Sequence, residues 1–205
     1  MSTNFSTSRP GPKPKPGTRL NLIEAGVQVL NAVGYTASGV QEILALAEVP
    51  KGSFYYHFES KEHFGVEVIN AQSDRSIARL RSTLGDEGMP PRERLIADFK
   101  QRGSDYERSG FRRGCLFGNL SLEIADHSDT MRESLKAHFH QWRDLIEACV
   151  FAAQMDGSIR NPTHASKLAE FTLSAWEGAL LRSRTEKNAE ALTVFQDVIF
   201  SSVLV

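Results

Sequence analysis

The run Lys51-Gly52-Ser53-Phe54-Tyr55-Tyr56-His57 sets a cation, two small residues and several hydroxyl and ring donors within two turns of helix. That mixture suits gripping phosphate and reading base edges better than it suits breaking bonds. Lys51 can donate to guanine edges and Gly52 lets backbone approach a groove wall, and with Ser53, Tyr55, Tyr56 and His57 they form the short helix that would meet DNA. Pro50 fits a helix's first turn because it needs no amide donor there. Ser38 and Lys61 stand where two neighbouring helices begin, and the free amides and positive dipole end of a helix favour anions, so both are expected to hold phosphates, with Gln41 beside them. Such contacts fix register without reading sequence. Phe54 and Phe58 are expected to face inward.

Cys115 is the second chemical candidate. It follows Arg112, Arg113 and Gly114 at an expected helix start, and cationic neighbours with helix amides favour thiolate over thiol. The residue reads either as a redox or electrophile sensor or as a small buried core cysteine. Cys149, on an apolar helix face, reads as structural. Pairing Cys115 with His127, His138 or His140 is the one nucleophile and base combination available, and no nucleophile elbow, phosphate loop, dinucleotide fingerprint or zinc motif accompanies it. No enzyme, metal site or cofactor is expected. His138 and His140 point to different sides of a helix, and Glu123 with His127 reads as a surface contact.

The elements that must position these groups are helices throughout. Leu20, Ile23, Val27 and Leu30 recur at helical spacing on a first helix, which Gly34 should stop in a left-handed cap. Ser38 with Gln41 reads as a capping box opening a second helix. A long helix through Phe64, Val68, Ile77 and Leu80 runs toward Gly85, another spans Leu95 to about Ser109, and one carrying Met131, Leu135, Phe139, Trp142, Ile146, Cys149 and Val150 stops near Asp156-Gly157. Two final helices, 165–184 and 189–203, form a hairpin. Their apolar positions Leu168, Phe171, Ala175, Ala179, Leu192, Phe195, Val198 and Ile199 exceed what one buried face needs, so two copies are expected to pair through a four-helix interface.

Gly34-Tyr35, Val40, Ile43, Ala47, Val49, Lys51 to Phe58 and Ser60-Lys61 resemble the tetracycline-repressor (TetR) family of bacterial one-component regulators, strongly over about residues 18–65 and more weakly beyond. Glu48 stands where the family usually has Gly, and Pro50 where it usually has Ser or Thr. The resemblance implies an all-α chain with an N-terminal three-helix helix-turn-helix unit and a helical ligand-binding and dimerisation domain. It also implies a homodimer on a pseudo-palindromic double-stranded DNA operator, with recognition helices about 34 to 36 Å apart. A small-molecule inducer or electrophile would release it. The implied inducer cavity has Phe111, Phe117, Phe139, Trp142, Phe151 and Trp176 as wall candidates beside Cys115, most of them ordinary core. An apolar or amphipathic inducer is favoured over a highly charged one. The segment from Gly114 to Arg132 is similar to that of the subgroup answering to N-ethylmaleimide, in which a cysteine senses electrophiles, quinones or hypochlorite.

With 205 residues, 40% of them hydrophobic, the chain can bury a sizeable core. Division is expected into a basic tail at 1–17, a DNA-binding unit at 18–64 and a sensing and dimerisation unit at 65–205. The tail is Pro-rich and acid-free, with Arg9, Lys13 and Lys15. It reads as a solvated segment or as an arm reaching phosphates or the minor groove. A formal charge of −1 gives no global attraction to nucleic acid, so binding must rest on local placement. Two cysteines, no signal-like N-terminus and no long apolar run point to a reducing cytoplasm and no membrane contact.

Overall fold

The computed structural model describes residues 17–205, so the expected tail at 1–17 lies, except for Gly17, outside the described residues. Those residues form nine α-helices: α1 Thr18–Ala37, α2 Val40–Ala47, α3 Lys51–His57, α4 Lys61–Leu84, α5 Pro91–Arg108, α6 Leu116–Ile124, α7 Asp129–Met155, α8 Ala165–Glu186 and α9 Glu190–Val198. A π-helical turn, Ile199–Val203, follows α9. None of the described helices is long and apolar enough to cross a membrane.

The breaks follow local chemistry. Within α1, Gly34 takes φ 83° and ψ 178°, so the helix is interrupted there, though in an extended conformation rather than the expected left-handed cap. Only glycine adopts that conformation at little cost. Residue Glu48 does sit at φ 55° and ψ 41°, the strained turn its sequence position implied, and its amide donates to Ala45. Pro90-Pro91 starts α5 with proline in the first turn, and α4 and α7 open on the side chains of Ser60 and Ser128, which accept from His63 and Met131 amides.

Two corrections concern the head. The capping box does not form: Gly39 is the N-cap of α2, and the Ser38 hydroxyl instead donates back to the Tyr35 carbonyl at 2.7 Å. The buried face of α1 is carried by Leu22, Ile23, Ala25, Val29 and Leu30, while Leu20 is exposed. Leu22, Leu30, Ile43, Phe54, Phe58 and Phe64 form a core that continues into Leu116, Phe117, Leu120 and Ile124 of α6 and Met131 and Leu135 of α7. A second core joins α4, α5, α7, α8 and α9 around Phe99, Trp142, Trp176 and Phe195. The head is therefore seated on α6, and α4 runs unbroken from one core to the other.

Candidate nucleic-acid interface and ligand cavities

Phe54 fixes the orientation of α3. It is fully buried, with ring centroids 5.1 Å from Phe64 and 5.5 Å from Phe58, and with one face of a seven-residue helix anchored this way the other faces out. Lys51, Gly52, Tyr55 and Tyr56 are exposed, the two tyrosines by 59% and 67%, and Ser53 and His57 are half-buried. Tyr56 and His57 meet edge to face at 5.0 Å, so they touch each other without withdrawing Tyr56 from solvent. Pro50 lies just ahead of the first turn as the N-cap, and Gln41 is exposed on the first turn of α2. Of these eight residues, six are exposed and Ser53 and His57 are half-buried.

Ser38 and Lys61 differ. Ser38 is 3% exposed and its hydroxyl is committed to Tyr35, so it is corrected to an internal turn residue rather than a phosphate ligand. Lys61 points inward: its Nζ donates to the Tyr35 carbonyl at 2.6 Å and lies 4.5 Å from the Tyr35 ring centroid. Desolvation there lowers its pKa, against the opposing pull of Glu123. Its two remaining donors are what it could offer a phosphate.

The same corner contains a residue expected only as a surface contact of His127, and its role is different. Glu123, on α6, accepts from the Tyr35 amide at 2.8 Å and from the Thr36 amide, across 88 and 87 residues of chain. Those amides, with Lys61, hold its carboxyl below the usual range despite desolvation. A Cβ at residue 34 would come within 2.6 Å of Glu123 Oε2, so Gly34 supplies both the backbone conformation and the room for this clamp. His127 is exposed and does not pair with it among the described contacts.

Cys115 is the N-cap of α6, its sulfur accepting from the Gly118 amide at 3.4 Å. Of the two readings of Cys115, its surroundings favour the buried thiol. Burial, reinforced by the Glu177 carboxyl within hydrogen-bonding reach, pushes the thiol well above its ordinary pKa, while Arg112 and Arg113 are exposed. Cys149 is structural as expected; it donates to the Pro91 carbonyl at 3.1 Å, and burial raises its pKa to about 11.

Two cavities meet at Cys115. One of about 260 Å³ is mostly apolar, with Phe139, Leu122, Leu180 and Leu181 around Cys115 and Glu177. The other, about 370 Å³, opens between α1, α4, α5, α6, α7 and α8 and has Phe117, Trp142 and Trp176 in its wall with Asn31, Arg102 and Tyr106. Phe117, Phe139, Trp142 and Trp176 thus line cavities as expected. Phe111 and Phe151 do not: Phe111 takes φ 57° and packs edge-on to Tyr106 at 5.6 Å, and Phe151 is 58% exposed on the outer face of α7.

Burial raises the Glu177 pKa to about 7, only partly offset by Cys115 and Arg102. A carboxyl whose folded pKa exceeds its unfolded value keeps an extra proton between the two, so folding stability falls as pH rises through that window. At about 1.36 kcal/mol per unit, wild type is expected to lose roughly 3 kcal/mol between about pH 4.5 and 7, most of it absent in Glu177→Gln. Urea unfolding of both proteins at pH 5 and pH 8 measures this, and parallel pH curves would refute it.

On the α8–α9 hairpin, Leu168, Leu192, Phe195 and Ile199 are corrected from interface to core, since each is already buried within the subunit, and Ala179 nearly so. Helical periodicity marked these positions as apolar without telling which neighbour covers them. Phe171, Val198 and half-buried Ala175 do lie on the outer face, together with Val194, Ala191 and Gly178, which fall outside the expected set.

The family model described as bacterial regulatory proteins of the tetR family matches residues 22–68, and that of a tetracyclin repressor-like C-terminal domain matches residues 91–199. The HTH-type transcriptional repressor DhaR of Mycobacterium sp. (strain GP1) is 41% identical over 186 residues, covering 91% of this chain and 92% of that protein. The HTH-type transcriptional repressor NemR of Escherichia coli (strain K12) is 30% identical over 175 residues, 85% of this chain and 88% of that one. A crystal structure of a regulatory protein TetR from Rhodobacter sphaeroides superposes with TM-score 0.84 at 34% identity, over 90% of this chain and 97% of the other. The reduced form of E. coli NemR gives TM-score 0.84 at 29% identity, over 89% and 94%.

Proposed function

Because the chain belongs to the TetR family of bacterial regulatory proteins, we propose that it is a DNA-binding transcriptional repressor whose α3 enters the major groove of an operator and which a small ligand releases. The observation carrying this reading is the two-sided α3: Phe54 is locked in the core while Lys51, Tyr55 and Tyr56 stand in solvent. Lys51, Gly52, Ser53, Tyr55, Tyr56 and His57 are the contacts we assign to groove and phosphates, with Pro50 and Gln41 at the margin and Lys61 supporting them from behind.

Members of the family act as dimers on operator DNA, and the apolar outer face of α8 and α9 supports a two-fold pairing in this chain. Phe171, Val194 and Val198 flank the small Ala175, Gly178 and Ala191, which allow the partner's helices to approach closely. Two copies mounted so carry two recognition helices to successive half-sites. The protein would act in the cytoplasm, where its operator lies.

Release requires a ligand with different affinity for the DNA-bound and free states. The cavities beside Cys115 are suited to one, because they abut the start of α6 and, through Asn31, α1 itself. A relative solved in a reduced form keeps an electrophile in view, but a thiol held protonated favours reversible ligand binding over covalent capture. Gel shifts with the DNA flanking its own gene test the function, and N-ethylmaleimide added to wild type and to Cys115→Ser tests the trigger. Equal release of both proteins would remove Cys115 from that role. Lys51→Ala is expected to weaken operator binding and to flatten the slope of log affinity against log salt by about one. An unchanged slope would exclude a Lys51 phosphate contact.

A further inference from the structure

The larger cavity has three wall residues with polar atoms that find no partner in the protein: Asn31 Oδ1, Arg102 Nη2 and Trp142 Nε1. Trp142 is 3% exposed and the Arg102 side chain 15%, so water competes poorly for either. Leaving a buried donor unmade is costly, more so for a charged one, and a wall that holds two of them is prepared for an acceptor.

Both donors are held in place. Arg102 Nε is bonded to Asp98 Oδ2 at 2.6 Å, and the guanidinium carbon lies 4.7 Å from the Trp142 ring centroid. Arg102 on α5 thus lies over the indole of Trp142 on α7, and both side chains line the same cavity. Arg102's charge is shared with Asp98, yet its field still acts on the neighbourhood: with burial it depresses His138, whose pKa falls to about 4, and it pulls on Glu177. Phe117, Trp176 and Leu180 give the wall an apolar part, and its polar part includes Asp105, whose carboxylate is paired with Arg79. At about 370 Å³ the space is near the lower end for ligand cavities.

We propose that this cavity takes a small monocarboxylate with an apolar or aromatic tail, its carboxylate accepting from Arg102 Nη2 and Trp142 Nε1 and its tail lying among Phe117, Trp176 and Leu180. This rests on the regulator reading and names its ligand class. Asn31, on α1, lines the same cavity, but its unpartnered atom is the acceptor Oδ1, which a carboxylate does not satisfy, so the ligand's polar contacts are those to Arg102 and Trp142. A neutral primary amide of the same shape brings N–H groups toward N–H groups and forfeits the charge-assisted bond, so the site discriminates between the two.

The test is calorimetric titration of the full chain at pH 7.5 with benzoate, phenylacetate and butyrate, each against its primary amide, followed by gel shifts with the operator. At least one acid is expected to bind tenfold or more tightly than its amide. Trp142→Phe, which keeps the ring under Arg102 and loses the N–H, is expected to weaken that acid about tenfold, and Arg102→Lys to weaken it further. Acids that bind no better than their amides overturn the proposal, as does acid binding undiminished in Trp142→Phe. The wild-type comparison decides the matter even if Arg102→Lys fails to fold. Operator binding that persists while no acid binds defeats the ligand class alone. Acid binding in a chain that shifts no operator supports the site and defeats the regulator reading instead.

Discussion

The double variant Phe171→Glu, Val194→Glu is expected to be a folded monomer with about 10²- to 10⁴-fold lower operator affinity than wild type, the range lost when two linked binding events become independent. Phe171 and Val194 are each 55% exposed, so neither change opens a cavity in the subunit. Across a two-fold axis the same patch meets itself, so each new carboxylate faces the partner's apolar surface or its identical charge. Sedimentation velocity and a gel shift measure the two consequences. A variant that remains dimeric and binds DNA as before would show that the α8–α9 outer face is not the pairing surface.

Phe54→Ala should produce the second large effect, a loss of about 3 to 5 kcal/mol of stability, as for other buried aromatic truncations. The ring is fully buried between Phe58 and Phe64, and Tyr55 also stacks against it at 5.3 Å. Its removal takes away what holds α3 at its angle, so operator binding is expected to fall with stability. Phe54→Leu, which retains most of the volume, should lose much less of both. Urea midpoints set beside operator affinities decide it: affinity lost without any change in midpoint would mean that Phe54 contacts DNA directly instead of orienting the helix.

How legible these features were depends on how local they are. The α3 segment was readable because its two faces are encoded in seven consecutive residues, with Phe54 facing one way and Lys51, Tyr55 and Tyr56 the other. The Ser38 capping box was misread because two candidate caps are adjacent; Gly39 satisfies the start of α2 through its backbone, leaving the hydroxyl for Tyr35. In the hairpin, periodicity identified Leu192, Phe195 and Ile199 as apolar, but Phe99 and Trp176 cover this side of α9, a fact that only packing decides. Cys115 was given a charged environment from its neighbours in sequence, whereas its neighbour in space is Glu177. The clamp made by Glu123 carried no local signal, because its partners belong to a different part of the chain.

The Glu123 bridge gives α6 a mechanical meaning. This nine-residue rod has the Cys115 sulfur between the two cavities at one end and the carboxylate that grasps the end of α1 near the other. At about 1.5 Å of rise per residue its length is only some 13 Å, too short to bend appreciably. A tilt imposed by a guest at the sulfur end would reach Tyr35 and Thr36 through this one short rod. In a pair, the span between the two heads would then follow how that lever rests.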